Sequence, residues 1–132
     1  MSDCTSQAKL SCFLLLQLLC ISAQAAPMPV AAQSVISKVH TAAKHKDFAA
    51  LKSLMVNEFV WSFGGDGDAD QAIAAWQTDP SALKLLQQIT RQPCVVTPEH
   101  FIECPSSAGT GYHAGFKQTT VGWRMFYFLG GD

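Results

Sequence analysis

The stretch "SFGGDGDAD", Ser62 to Asp70, places Asp66, Asp68 and Asp70 at alternate positions between glycines. Carboxylates spaced this way suit a hard cation. A helix-loop-helix calcium loop takes oxygen ligands at its first, third and fifth positions, glycine at the sixth and a bidentate glutamate at the twelfth. Counted from Asp66, the sixth position is Gln71 and the twelfth is Gln77. The sharp turn and the bidentate ligand are missing, and the segment leading in reads as a strand. A turn and a cap account for every residue instead. Gly64 and Gly65 let the strand break into unusual backbone angles. Asp68 or Asp70 then accepts the free amide hydrogens of a following helix, worth about 1 kcal/mol. The other acids sit near its positive dipole end. No metal or cofactor is expected.

The histidines His40, His45, His100 and His113 form no ligand set of the H-E-x-x-H kind. His113 has the most interesting company. By strand alternation it shares a face with Lys117, and a hairpin register brings Arg124 onto that face. Glu58 or Asp66 approaches from the first strand if that strand joins the sheet. A histidine, cations and a carboxylate on one concave face suit proton transfer. On a solvated face the same groups are ordinary ion pairs of little worth. No G-x-S-x-G and no phosphate loop occurs. Trp61, Tyr112 and Trp123, with Trp76, Phe116 and Tyr127, either line a ligand pocket or fill the core. In a small domain those two uses compete for the same side chains.

Cys94 and Cys104 read as one disulfide, equidistant from Glu99 across a hairpin whose loop has an odd number of residues. Opposed cysteines at a non-hydrogen-bonded pair lie within bonding range. Closing a loop of roughly ten residues stabilises a fold by about 2–3 kcal/mol on the chain-entropy model.

The elements that position these residues follow from spacing. Lys9, the apolar run "LSCFLLLQLLCIS" and "AQA" make a secretory signal peptide over 1–25, with Ala26 as the mature start. The run is too short to span a bilayer. Cys4, Cys12 and Cys20 leave with it. Residues 26–33 form a flexible lead-in, and 34–132 form one small domain. Val35, Ile36, Val39, Ala42 and Ala43 recur with helical spacing. Asp47 caps a second helix with Phe48, Leu51 and Met55 on its face. Phe59, Trp61 and Phe63 alternate as a strand. Helical spacing returns at Ala72, Ile73 and Trp76. It starts again after the Asp79 cap and Pro80, with Leu83, Leu86 and Ile89. The rest alternates as two hairpins, "CVVTPEHFIEC" and "GYHAGFK" to "GWRMFYFL". Tyr112, Ala114 and Phe116 share one face. So do Trp123, Met125 and Tyr127, which requires an even-numbered loop. Phe126 and Phe128 load the other face, so the last strand is central or strongly curved. The expected fold is α+β: N-terminal helices packed on a curved antiparallel sheet of about four to five strands.

The net charge of −1 leaves no basic stripe for nucleic acid. An exported chain with one disulfide belongs in a secreted or periplasmic setting. It has no stable membrane span after cleavage.

"DFAALKSLMVNEFVWSFGG" and the closing "GWRMFYFLGGD" resemble the nuclear-transport-factor-like superfamily, a cone-shaped α+β fold. A helix with an Asp-Phe start feeds a strand bearing a tryptophan in both. Ketosteroid isomerase and scytalone dehydratase belong to that superfamily beside many small binding proteins. The resemblance implies a pocket between sheet and helices, and pairing of two copies through the open sheet face. No catalytic residue carries over. The chain is short for the family and has two helices where the family has one. It also resembles small exported bacterial proteins. The expected function is a non-enzymatic binding or accessory module for a small molecule or protein. The alternatives are a small isomerase or dehydratase with an acid-base pocket, and a structural homodimer or larger homo-oligomer.

Overall fold

The computed structural model describes residues 26–65, 67–107, 109 and 111–130. The expected leader at 1–25 and Asp66 lie outside the described residues. The order is α1 (Val30–His45), α2 (Phe48–Ser53), β1 (Met55–Val60), α3 (Ala69–Thr78), α4 (Ser81–Thr90), β2 (Val95–Val96), β3 (Ile102–Cys104), β4 (Tyr112–Thr119) and β5 (Gly122–Gly130). Helices and one five-stranded sheet make an α+β domain, with strand order β1-β5-β4-β3-β2.

Helix α1 begins at Val30, inside the stretch expected to be a loose lead-in. Pro29 precedes the first turn, where its missing N–H costs nothing. Ala32 is fully buried and anchors that turn. At the other end Lys46 adopts the left-handed conformation and Asp47 donates its N–H to the Ala42 carbonyl at 2.9 Å. The Asp47 carboxylate then accepts from Ala50 N–H and starts α2. Met55, expected on that helix, is instead the first residue of β1. Helix α2 stops at Ser53 because the Leu54 carbonyl accepts the Met125 N–H at 2.8 Å and draws the chain into the sheet. The strand ends at Val60, so Trp61 lies just past it and Phe63 is out in solvent at 65% exposure.

The sheet is mixed, which corrects the antiparallel expectation. The β2–β3, β3–β4 and β4–β5 pairs are antiparallel, but β1 runs parallel to β5. Short hairpin loops force antiparallel pairing only on neighbours in sequence. Two helices and three strands intervene between β1 and β5, and so long a crossover permits a parallel pair. Strand β5 lies between β1 and β4, the interior place that its apolar loading on both faces implied.

Val95 pairs with Glu103 and Val96 with Ile102, which sets Cys94 opposite Cys104. Their Cα atoms are 4.4 Å apart and their sulfurs are bonded. That separation is the non-hydrogen-bonded spacing. The five-residue loop is centred on Glu99, with His100 N–H donating to the Thr97 carbonyl at 3.0 Å. The β4–β5 loop is Thr120 and Val121, an even number as required.

Between Gly115 and Phe116 the β4–β5 register shifts by one. Phe116 opposes Met125, whereas Gly115 opposes Tyr127, leaving Phe126 as the extra residue of a bulge. A one-residue slip exchanges faces. Tyr127 therefore leaves the face of Trp123 and Met125, and Phe128 takes its place in the core. All four helices cover this inner face. Phe59, Phe116, Phe128, Leu51, Leu83, Leu86, Ile102 and Met125 are at most 2% exposed there. Burying each such side chain contributes about 1.5–3 kcal/mol.

Candidate functional site

Two of the three acids of the loop, Asp68 and Asp70, are among the described residues. Asp68 is the N-cap of α3, its carboxylate accepting the Gln71 N–H at 3.1 Å. Its own N–H donates to the Phe59 carbonyl at 2.9 Å, which ties the loop to β1. Gly67 is required at this crossing, because a Cβ there would lie 2.3 Å from the Glu58 carbonyl oxygen. Asp70 points outward and forms a salt bridge with Lys52. Such an exposed pair is worth little.

The face of the sheet that the described helices leave open gathers three of the six expected site residues, His113, Lys117 and Arg124. His113, Gly115 and Lys117 alternate onto it from β4. From β5 come Arg124, opposite Lys117, Tyr127, opposite Gly115, and the bulged Phe126. Tyr127 crosses directly over Gly115, where a Cβ would come within 2.1 Å of its ring. The phenol donates to the Glu103 carboxylate of β3. Partial burial, the Glu103 hydrogen bond and its charge all raise the Tyr127 pKa, so the phenol stays protonated. The edge of the His113 ring packs on Tyr127 with centroids 5.4 Å apart. Phe126 packs edge-on against Tyr127 at 4.7 Å and against Phe101 at 5.3 Å. Sequence reasoning missed Glu103 and Phe101 as members of this face, and it placed Phe126 here without giving it a role in the site. One sign was available: a glycine inside a strand, here Gly115, marks a close approach by another group.

At one end of this face lies a cleft of about 540 Å³ lined by Asn57, Glu58, Lys117, Gln118, Thr119 and Arg124 among others. Glu58 lines the same cleft as the two cations, because the first strand joins the sheet. The β1–β5 ladder is irregular here: Met55 opposes Met125 but Val60 already opposes Tyr127. Lys117 and Arg124 are direct cross-strand partners, an unfavourable placement for like charges. Each is held by a group that is not a carboxylate. The Lys117 ammonium lies 5.1 Å from the centroid of Phe126. The Arg124 guanidinium donates to the Trp123 carbonyl at 2.7 Å. Among the described residues, no carboxylate forms a salt bridge with either.

The structure separates the remaining candidates. Trp123 is 9% exposed and belongs to the core. Trp61 and Tyr112 are at the other end of the sheet, lining a notch of about 290 Å³ with Trp76, Phe128, Asp79 and Ser81. Among the described residues, packed apolar side chains fill the space between the sheet and the helices. His40 contacts α4, its Nδ1 lying 3.1 Å from both the Gln87 carbonyl and the Thr90 hydroxyl. No described helix is long and apolar enough to cross a membrane.

Comparison of the chain with family models, with curated proteins and with solved structures finds no match.

Proposed function

We propose that this chain is an exported, non-enzymatic binding module whose open sheet face takes a small anionic ligand with an aromatic or apolar body. The observation that carries the reading is the Lys117–Arg124 pair. Two cations stand opposed across neighbouring strands, lack a carboxylate salt bridge among the described residues and border an aromatic platform. An anion between them would relieve their repulsion, and Arg124 offers paired donors for a carboxylate or phosphate. Phe126, Tyr127 and Phe101 supply an apolar surface for the rest of the ligand. Every described charged or polar side chain keeps contact with solvent, which favours binding over acid-base chemistry in an enclosed pocket. The cysteine pair suits an oxidising compartment.

Calorimetric titration with benzoate, benzyl alcohol and benzylammonium tests the ligand class. Benzoate should bind most tightly, weaken with added salt and lose roughly tenfold in affinity in the K117Q/R124Q double variant. Equal binding of benzyl alcohol, or no loss in the double variant, rejects the site. If a second copy occupies the face instead, light scattering will show a mass that doubles with concentration. Export predicts that the chain recovered from its host begins at Ala26, and an intact mass retaining residues 1–25 rejects that half.

A further inference from the structure

We infer that the notch at the opposite end of the sheet is a second binding site, for a small organic cation with an alkylated ammonium head. It is formed by Trp61 just beyond β1, Ala75 and Trp76 of α3, Asp79 and Ser81 at the α3–α4 junction, Ala82 of α4, Tyr112 of β4 and Phe128 of β5. The lining is aromatic on several sides and carries one formal charge, which is negative. Trp76 and Phe128 are at most 5% exposed and form the floor, their ring centroids 6.0 Å apart. Trp61 is only partly buried and Tyr112 is 43% exposed, so both keep ring surface for a ligand. Tyr112 is not loose, for its ring packs 5.3 Å from that of Phe128. Ala75 and Ala82 leave the intervening space open.

Two features favour positive charge in this space. Aromatic faces attract cations through their quadrupoles. The Asp79 carboxylate is ionised at neutral pH. Its hydrogen bonds from Ser81, the backbone N–H at 3.1 Å foremost, hold it below the usual carboxylate range. Among the described residues no lysine or arginine lines the notch, and none forms a salt bridge with Asp79.

The chemistry also selects the kind of cation. A calcium or magnesium ion needs six or more oxygen ligands, and here the aromatic walls replace most of them. A primary ammonium is strongly hydrated and needs three acceptors. An alkylated ammonium spreads its charge over methyl groups, needs no hydrogen-bond acceptor and gains from apolar contact. The same aromatic surface that would reject a metal ion therefore suits it. This inference is independent of the anion cleft, which lies among different residues at the other end of the sheet.

The test titrates choline into the full chain and follows tryptophan fluorescence and proton NMR shifts. The uncharged isostere 3,3-dimethylbutan-1-ol is titrated in parallel. Saturable choline binding is expected, with the isostere at least tenfold weaker. W61A should weaken choline roughly tenfold. D79N keeps a capping side chain but removes the charge, and should weaken choline severalfold while leaving the isostere unchanged. K117Q/R124Q should leave choline binding intact. If W61A does not fold by circular dichroism, D79N and the isostere still decide. Absence of saturation, equal affinity for the isostere, or indifference to D79N overturns the site.

Discussion

The two faces of one sheet are built from the same strands and put to opposite uses. On the inner face Ala114, Phe116, Met125 and Phe128 are all apolar, and the helices reduce their exposure to 2% or less. On the outer face the intervening residues are His113, Gly115, Lys117, Arg124 and Tyr127, and none of the described helices covers them. There the aromatic rings pack edge to face and share the surface with charges. The inner face carries stability through burial. The outer face keeps half-exposed rings and cations that solvent or a ligand can reach. The one device that connects them is the bulge at Phe126, which sends Phe128 inward and Tyr127 outward.

The largest effect expected to test this contrast is a pair of truncations. F116A should cost about 3–5 kcal/mol in urea denaturation, as for other fully buried phenylalanines. F126A on the outer face should cost about 1 kcal/mol. Equal losses would mean that the outer aromatics are core in all but position. A smaller effect addresses the crossing of Tyr127 over Gly115. G115A must displace the ring, and overpacking of this kind costs about 1–3 kcal/mol. In a Y127A background the added methyl should be nearly neutral, and a double-mutant cycle without coupling would refute the contact.

The smallest effect is a pH dependence. Burial first, then the Glu103 hydrogen bond and charge, raise the Tyr127 pKa. The folded state therefore holds this proton more tightly than the unfolded state. Its contribution is complete below about pH 10, the ordinary tyrosine value, and is lost as pH rises above it. The wild-type melting temperature should fall more steeply between about pH 9.5 and 11 than that of Y127F. Parallel curves would detach Tyr127 from Glu103.

Much of the fold was legible because its causes are local. The apolar periods of α1, α3 and α4, the Asp47 and Asp68 caps and the even β4–β5 loop all depend on residues within a turn or two. The disulfide was legible because Cys94 and Cys104 are equidistant from Glu99. The site was legible only in part. Alternation placed His113, Lys117 and Arg124 on one face. Alternation also set Tyr127 beside Met125, which the bulge reversed. Trp123 went to the core and Trp61 to a notch on the other side, because an aromatic residue's type does not say which wall it joins.

By itself the sequence determined the order of helices and strands from Val35 onward, which cysteines meet and that the acidic loop caps a helix. Each of these is decided by neighbours along the chain, through hydrogen bonds and spacing that no distant residue alters. Tertiary structure alone decided that β1 runs parallel to β5, that Met55 leaves its helix for the sheet and that Tyr127 faces outward over Gly115. Those outcomes depend on a ladder and a packing contact between residues far apart in the chain. A one-residue slip in such a ladder exchanges the faces of everything beyond it.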